Sequence, residues 1–159
     1  MTTANRMPPR LVSAARYALP VYLVALGLIV FLPAPASGGV TGVLGWMAEL
    51  IGRLGAPVYE TYVVLEFLAN IALFVPFGLL VAVVFPRLRP LAITALGFAT
   101  SVTIELVQIL LPTRFPTVSD VIANTLGAAI GCLVVAAVVK RSAARARAGR
   151  PTEPVRSPT

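Results

Sequence analysis

The chain has 159 residues, of which 58% are hydrophobic and 12% are charged, and its mean hydropathy is +0.90. Soluble domains carry about 45–50% apolar and about 25% charged residues, so this composition excludes an ordinary soluble domain and indicates a membrane protein. The lack of histidine and the single Cys132 exclude a histidine general base, a multi-ligand zinc site and an internal disulfide. We therefore predict neither a cofactor nor a bound metal.

Four apolar runs are each close to the about 20 residues that cross a bilayer core, and we predict helical spans at residues 17–35, 63–85, 91–111 and 118–139. Residues 40–54 repeat apolar side chains at helical spacing, but this stretch is too short to span. Because Trp46 suits the interface, we interpret the stretch as an amphipathic helix on the membrane surface, with a structured loop as the alternative. The predicted fold is an all-α, four-span helical bundle with an interfacial helix between spans one and two.

The basic residues predict how the chain is oriented in the membrane. Eleven of the 13 precede span one, join spans two and three, or follow span four, and only Arg53 and Arg114 fall on the other side. The positive-inside rule then makes both termini cytoplasmic. The predicted parts are a cytoplasmic segment 1–16, a membrane domain 17–139 and a basic, disordered cytoplasmic tail 140–159. The net charge of +7 reflects topology and contact with anionic membrane lipids, which argues against nucleic acid as a partner.

The first span has a second interpretation. Residues 34–36, Ala-Pro-Ala, follow the apolar run and resemble a small-residue cleavage site of a signal peptide. The run is long for a signal peptide, which favours a retained span. Cleavage would leave three spans in the same orientation, so the charge distribution does not distinguish these alternatives.

Polar side chains recur at helical spacing within spans two, three and four. An ionised side chain near the bilayer centre costs roughly 2.5–3.5 kcal/mol, so such residues need a reason. The alternating direction of the spans brings all of them into the outer half of the membrane, below a short loop that carries an arginine. We expect a polar cavity that faces the outer leaflet, and its candidate ligand-binding residues are Glu66, Asn70, Glu105, Gln108, Arg114, Asp120 and Asn124.

Each of these residues also has a structural interpretation. Glu66 can extend to the nearby interface, and Asp120 suits the N-cap of span four. The amides can join helices through hydrogen bonds worth roughly 0.6–2 kcal/mol each. Glu105 is the deepest carboxylate, so it requires a partner such as Arg114 or a neighbouring amide.

Three other features predict packing. Gly127 and Gly131 form a pair of small residues four positions apart, which is typical of a helix–helix contact. Pro76 is expected to kink span two because it cannot donate a hydrogen bond to the carbonyl of Ala72. Cys132, in the apolar part of span four, is expected to pack in the core.

Residues 66–131 resemble the VanZ-like membrane proteins of bacteria. The resemblance rests on residues 70–78 (NIALFVPFG), 105–108 (ELVQ), Arg114 and 120–131 (DVIANTLGAAIG), which occur in the order of the family and cover spans two to four. One departure is Thr117, which stands where we would expect an acidic residue. If a carboxylate there contributes to ligand binding, this chain differs in specificity or activity.

The resemblance implies a bacterial cytoplasmic-membrane protein linked with low-level resistance to teicoplanin, a lipid-tailed glycopeptide that acts at the outer membrane surface. Three functions stay open. We favour a non-enzymatic protein that binds a lipoglycopeptide or a cell-envelope lipid, since no nucleophile–base pattern is present. The alternatives are an enzyme that uses membrane carboxylates on a lipid-linked envelope precursor, and a proton-linked transporter, for which four spans are few unless the chain forms an oligomer.

Overall fold

The computed structural model describes residues 7–31, 40–111 and 117–148, which form five α-helices and no strand. Four of the helices are long and apolar enough to cross a membrane, and a shorter apolar helix lies between the first two of them. The predicted all-α, four-span architecture is confirmed. The helices are α1 (Pro9–Phe31), α2 (Val40–Gly52), α3 (Val58–Val84), α4 (Pro90–Gln108) and α5 (Val118–Ala148).

The helices differ from the predicted spans at their ends. α1 begins at Pro9, within the segment assigned to the N terminus, because proline at a first helical position presets the backbone and needs no N–H partner. α5 continues to Ala148, so the prediction of a disordered tail is wrong for residues 140–148. Alanine and arginine fill that stretch, and both favour helix, so α5 extends beyond its apolar part. The possible cleavage site at 34–36 and the tail from residue 149 lie outside the described residues.

α3 and α5 form the centre of the bundle and contact each other along their length. Glycines allow their backbones to approach closely. A Cβ atom at Gly127 would collide with the carbonyl oxygen of Ile71, and one at Gly131 would collide with that of Val75. The interpretation of the two glycines as a packing face is therefore confirmed.

The remaining helices surround this pair: α4 packs against α5 and α3, while α1 and α2 each pack against α3. Phe74 and Phe77 of α3 are buried with their ring centroids 5.7 Å apart, and Ile93 and Cys132 belong to the same core. The expected packing role of Cys132 is thus confirmed. Pro76 lies between the two phenylalanines, and α3 continues through it.

α2 is the short helix predicted at residues 40–54. It buries Ala48 and exposes Val43, Trp46 and Leu50. The three exposed residues are spaced by three and four positions, so they share one face of the helix. An exposed apolar face that carries tryptophan is typical of a helix at a membrane interface.

The direction of the helices gives the bundle two different ends. Near the start of α1, Leu11 lines a groove together with Val83 of α3 and Val138 of α5, so these helix ends lie together. We call this the terminal end, since α1 begins there and the last part of α5 lies there. The other end, where α4 stops and α5 starts, is called the loop end. Between the ends, the Tyr22 hydroxyl of α1 donates a 2.7 Å hydrogen bond to the carbonyl of Leu73 in α3.

Candidate functional site

Asn70 and Asp120 join α3 to α5 near the loop end. The side-chain amide of Asn70 donates a 2.7 Å hydrogen bond to Oδ1 of Asp120. Asp120 lies in the first turn of α5, where the exposed backbone N–H groups of a helix favour a negative charge. The two residues are part of different predicted spans, and the fold brings them into direct contact.

Thr117 caps the start of α5. Its Oγ1 accepts a 3.1 Å hydrogen bond from the backbone N–H of Asp120, three residues later. The sequence interpretation of Asp120 as the N-cap is therefore wrong, because a threonine placed one turn earlier takes that role. The Asp120 carboxylate is left available to Asn70.

Glu105 of α4 is buried, with 8% of its surface exposed, and it also depends on Thr117. Its Oε2 accepts a 3.0 Å hydrogen bond from the backbone N–H of Thr117. Thr117, which stands where an acidic residue was expected, thus supplies a hydrogen-bond donor to Glu105. Arg114, the other predicted partner, lies outside the described residues.

Asn124 and Ser101 form a buried polar pair between α5 and α4. The Asn124 amide donates a 2.8 Å hydrogen bond to the Ser101 hydroxyl, and both side chains are almost completely inaccessible to solvent. The Oδ1 atom of Asn124 has no partner among the described residues. An acceptor left unpaired in this way costs about 1–3 kcal/mol.

Gln108 links α4 to α1 through a 2.9 Å hydrogen bond from its Nε2 to the carbonyl oxygen of Val30. Val30 lies in the last turn of α1, where the backbone carbonyls have no N–H partner within the helix. The side-chain amide therefore satisfies a helix terminus. We did not predict that α1 contributes to the polar region.

Glu66 accepts a 3.3 Å hydrogen bond from the hydroxyl of Tyr62, one turn earlier in α3. Glu105 contacts Thr117 just before α5, and Glu66 lies one turn before Asn70, the partner of Asp120. Three carboxylates thus lie around the start of α5. Among the described residues, no group of three or more acidic or cysteine side chains is arranged to hold a metal ion.

Six of the seven candidate residues therefore lie at the loop end, and all six make hydrogen bonds within the protein. We call the six the polar cluster: Glu66, Asn70, Glu105, Gln108, Asp120 and Asn124.

An apolar groove adjoins the polar cluster. It runs between α1 and α4, has a volume of about 440 Å³, and is lined on α1 by residues such as Leu23 and Val30 and on α4 by Leu96 and Ile104. Val30 is the residue whose carbonyl binds Gln108, and Ile104 directly precedes Glu105. No residue of the polar cluster lines the groove itself. The candidate site therefore consists of hydrogen-bonded polar groups beside an apolar groove.

A family model named VanZ/LLP1 matches residues 19–140, which include the whole polar cluster and most of the four long helices. The chain belongs to the VanZ/LLP1 family. The resemblance drawn from residues 66–131 is confirmed, and the match to the VanZ/LLP1 model also includes α2 and most of α1. No curated protein and no solved structure matches the chain.

In this VanZ/LLP1 protein, the residues missed by sequence reasoning are partners of the polar cluster. Tyr62 had a usable signal, because it precedes Glu66 by four positions and so lies on the same helix face. Thr117 had one as well, since a threonine three residues before an acidic residue is typical of a helix N-terminus. The carbonyl of Val30 had none, because every residue of a sequence carries one.

Proposed function

We propose that this protein binds an amphiphilic molecule of the cell envelope, with an acyl chain in the α1–α4 groove and a polar part at the polar cluster. The observation that carries this proposal is the junction at Val30, which lines the groove and whose carbonyl binds Gln108. Ligand sites typically combine a mostly apolar lining with a few polar groups, and their volumes are about 300–1,000 Å³. The groove, at about 440 Å³, falls within that range.

The lining of the groove favours an acyl chain. Apolar residues dominate it, and threonines at 100 and 103 are the polar residues of the lining. The hydroxyl of Thr103 is used within α4, where it donates a 2.8 Å hydrogen bond to the carbonyl of Ala99. A methylene chain therefore meets a surface that offers few competing polar interactions.

The polar cluster favours a ligand rich in hydrogen-bond donors. An ionised carboxylate can accept about four hydrogen bonds. The described contacts of Glu105 use one of them, from Thr117, and those of Asp120 use two, from Asn70 and from the side chain of Thr117. Amides, hydroxyls or an ammonium group of a ligand would complement these oxygens.

A lipid-tailed glycopeptide such as teicoplanin combines one acyl chain with many amide and hydroxyl donors. The VanZ-like resemblance carries an association with low-level resistance to this drug, and the two parts of the site correspond to the two parts of the molecule. We therefore propose teicoplanin-type lipoglycopeptides as ligands. Binding would hold the drug at the protein and away from its envelope target.

The proposal requires the loop end to face outward. The 11-to-2 distribution of basic residues supports this orientation, with both termini cytoplasmic. In a Cys132→Ser background, an impermeant thiol reagent on intact cells should label Leu54→Cys, which is 88% exposed beside α2. It should not label Ser142→Cys until the cells are opened. The reverse pattern would contradict the proposal.

The functional test is expression in a susceptible Gram-positive host. The inhibitory concentration of teicoplanin should rise more than that of vancomycin, which lacks the acyl chain. Ala99→Trp should abolish the difference because Ala99 lines the groove. Ala137→Trp is the matched control, since Ala137 is exposed on α5 and lines neither the α1–α4 groove nor the groove at the terminal end.

Variants of the polar part complete the experiment. Glu105→Ala should remove most of the effect, and Glu105→Gln should be milder because an amide oxygen still accepts from Thr117. Arg114→Ala should also reduce resistance. Equal shifts for both drugs would indicate a general change of the envelope and contradict the proposal. No shift for either drug, with the protein confirmed in the membrane, would exclude this ligand.

A second candidate function rests on the three carboxylates around the start of α5. Neighbouring carboxylates can act as general acid and base when their surroundings separate their proton affinities. In that case the protein would hydrolyse or transfer part of a lipid-linked envelope precursor. Turnover of a labelled precursor by purified protein, lost in Asp120→Asn, would favour the enzyme over the binding protein.

A further inference from the structure

A second groove lies at the terminal end, between α1, α3 and α5. Its volume is about 390 Å³, and its lining side chains are all apolar. On α1 the lining includes Ala14 and Ala18, whose small side chains leave space between this helix and its neighbours. Leu79 of α3 and Val134 of α5 form part of the opposite walls. The groove has the dimensions and the surface that suit a methylene chain.

On two of the helices that form this groove, an arginine lies one turn beyond a residue of the lining. On α1, Arg10 lies one turn before Ala14, which lines the groove. On α5, Arg141 follows the lining residue Val138 by three positions. Both arginines are exposed. The apolar groove therefore ends at positive charge on the side of the terminal end.

The terminal end is positive as a whole. Arg87 and Arg89 lie in the turn between α3 and α4, and Lys140 and Arg145 lie on α5. The described carboxylates lie elsewhere, on α2, in the first half of α3, late in α4 and at the start of α5. Among the described residues, no acidic side chain is therefore placed to neutralise this end. A negatively charged group is the complementary partner.

We propose that this groove binds one acyl chain of an anionic phospholipid, whose phosphate is held by Arg10 and Arg141. Arginine matches the geometry of phosphate through paired N–H donors. Helices that cross a membrane are surrounded by phospholipid, so this ligand is present at high local concentration. This site is separate from the proposed amphiphile site, which lies between other helices and toward the opposite end of the bundle.

Native mass spectrometry of the purified full-length protein can test the site. The protein in detergent is titrated with dioleoyl-phosphatidylglycerol or with dioleoyl-phosphatidylcholine, which have the same acyl chains and differ in net charge. Each arginine near a membrane surface contributes an attraction that corresponds to about a fivefold change in affinity. Arg10→Gln and Arg141→Gln should therefore each weaken the binding of phosphatidylglycerol by about fivefold, and that of phosphatidylcholine by less, because its choline group offsets the charge of the phosphate.

Two controls make the result specific. Arg53→Gln removes an exposed positive charge on the α2 side of the bundle and should leave phosphatidylglycerol binding unchanged. Ala18→Trp fills the groove from an exposed position and should weaken binding of both lipids, whereas Ala99→Trp, in the α1–α4 groove, should not. Each variant is first compared with the original protein by circular dichroism.

The proposal is overturned if Arg10→Gln, Arg141→Gln and Arg53→Gln weaken phosphatidylglycerol binding equally, because general charge attraction would then explain it. It is also overturned if Ala18→Trp has no effect, because the acyl chain would then lie elsewhere. Neither result bears on teicoplanin resistance, which depends on the other groove.

Discussion

The contact between α3 and α5 and the gap between α1 and α4 represent opposite kinds of helix packing in one small bundle. At α3–α5, glycines bring two backbones so close that a single added carbon at Gly127 or Gly131 would collide with a carbonyl oxygen. Between α1 and α4, an apolar groove of about 440 Å³ stays open, and the hydrogen bond from Gln108 to Val30 joins the two helices beside it.

The difference separates a closely packed part of the molecule from the part in which we propose a ligand site. The α3–α5 contact has no space for another molecule, and its side chains and backbone hold the two helices that carry Asn70 and Asp120. The α1–α4 side has the space and lies beside buried polar groups. In the proposed function, the central pair would position the polar cluster, and the space beside α1 would take the acyl chain.

The largest expected effect on stability comes from adding a side chain at the α3–α5 contact. Gly131→Val should destabilise the protein by about 3 kcal/mol or more, since the added atoms meet backbone that cannot easily move. Gly45→Val is the matched control because nothing lies within 4 Å of a Cβ atom there. Thermal unfolding in detergent measures both variants. Equal shifts in Tm would show that the close contact does not determine stability.

A smaller effect is expected at the start of α5. Thr117→Val removes the oxygen that accepts from the N–H of Asp120, so it should cost about 1 kcal/mol, the usual value for a helix cap. Thr125→Val is the control, because the Thr125 hydroxyl donates to a carbonyl within α5. In Tm measurements, only Thr117→Val should be clearly destabilised. A Thr117→Val variant as stable as the original protein would disprove the capping role.

The Asn124–Ser101 pair should show a modest coupling. A double-mutant cycle with Asn124→Ala and Ser101→Ala should give an interaction free energy of about 0.6–1.7 kcal/mol, as measured for other polar pairs between membrane helices. The cycle uses unfolding free energies in detergent. Additive effects of the two substitutions would mean that the 2.8 Å hydrogen bond does not contribute to stability.

The smallest effect on stability is expected on the groove side. Gln108→Leu should cost about 0.6 kcal/mol or less, yet it removes the hydrogen bond that joins α4 to α1. Spin labels at Val24→Cys and Leu106→Cys, in a Cys132→Ser background, should show a broader distance distribution in this variant. Val107→Leu, at a neighbouring exposed position, should leave the distribution narrow. An unchanged distribution in Gln108→Leu would contradict the role of Gln108 in holding α1.

The fold could be predicted largely from sequence because hydropathy and helical spacing decide which segments enter a membrane. The glycine contact was also predictable, since small residues four positions apart are needed where helix backbones meet. The ends of the helices were less predictable. Pro9 and the alanines and arginines after Lys140 extend α1 and α5 through backbone preference, which hydropathy does not measure.

The polar residues were found from sequence, but several of their partners were not. The depth of Glu105 in its predicted span indicated a buried carboxylate. Its hydrogen-bond donor could not be predicted, because it is the backbone N–H of Thr117. The partner of Gln108 is likewise a backbone carbonyl, at Val30. Backbone groups are the same in every residue, so only the three-dimensional arrangement of the helices shows which of them a side chain reaches.

Photocrosslinking tests most directly whether the α1–α4 groove binds an acyl chain. A teicoplanin-type lipoglycopeptide with a diazirine on its acyl chain is added to membranes that contain the protein, and the labelled peptides are mapped. Binding in the groove predicts labels on α1 at residues 23–31 and on α4 at residues 96–104, which unlabelled teicoplanin prevents and vancomycin does not. Labels spread over exposed side chains of α5, such as Ile122, Ile130 and Leu133, and unaffected by competitor would contradict it.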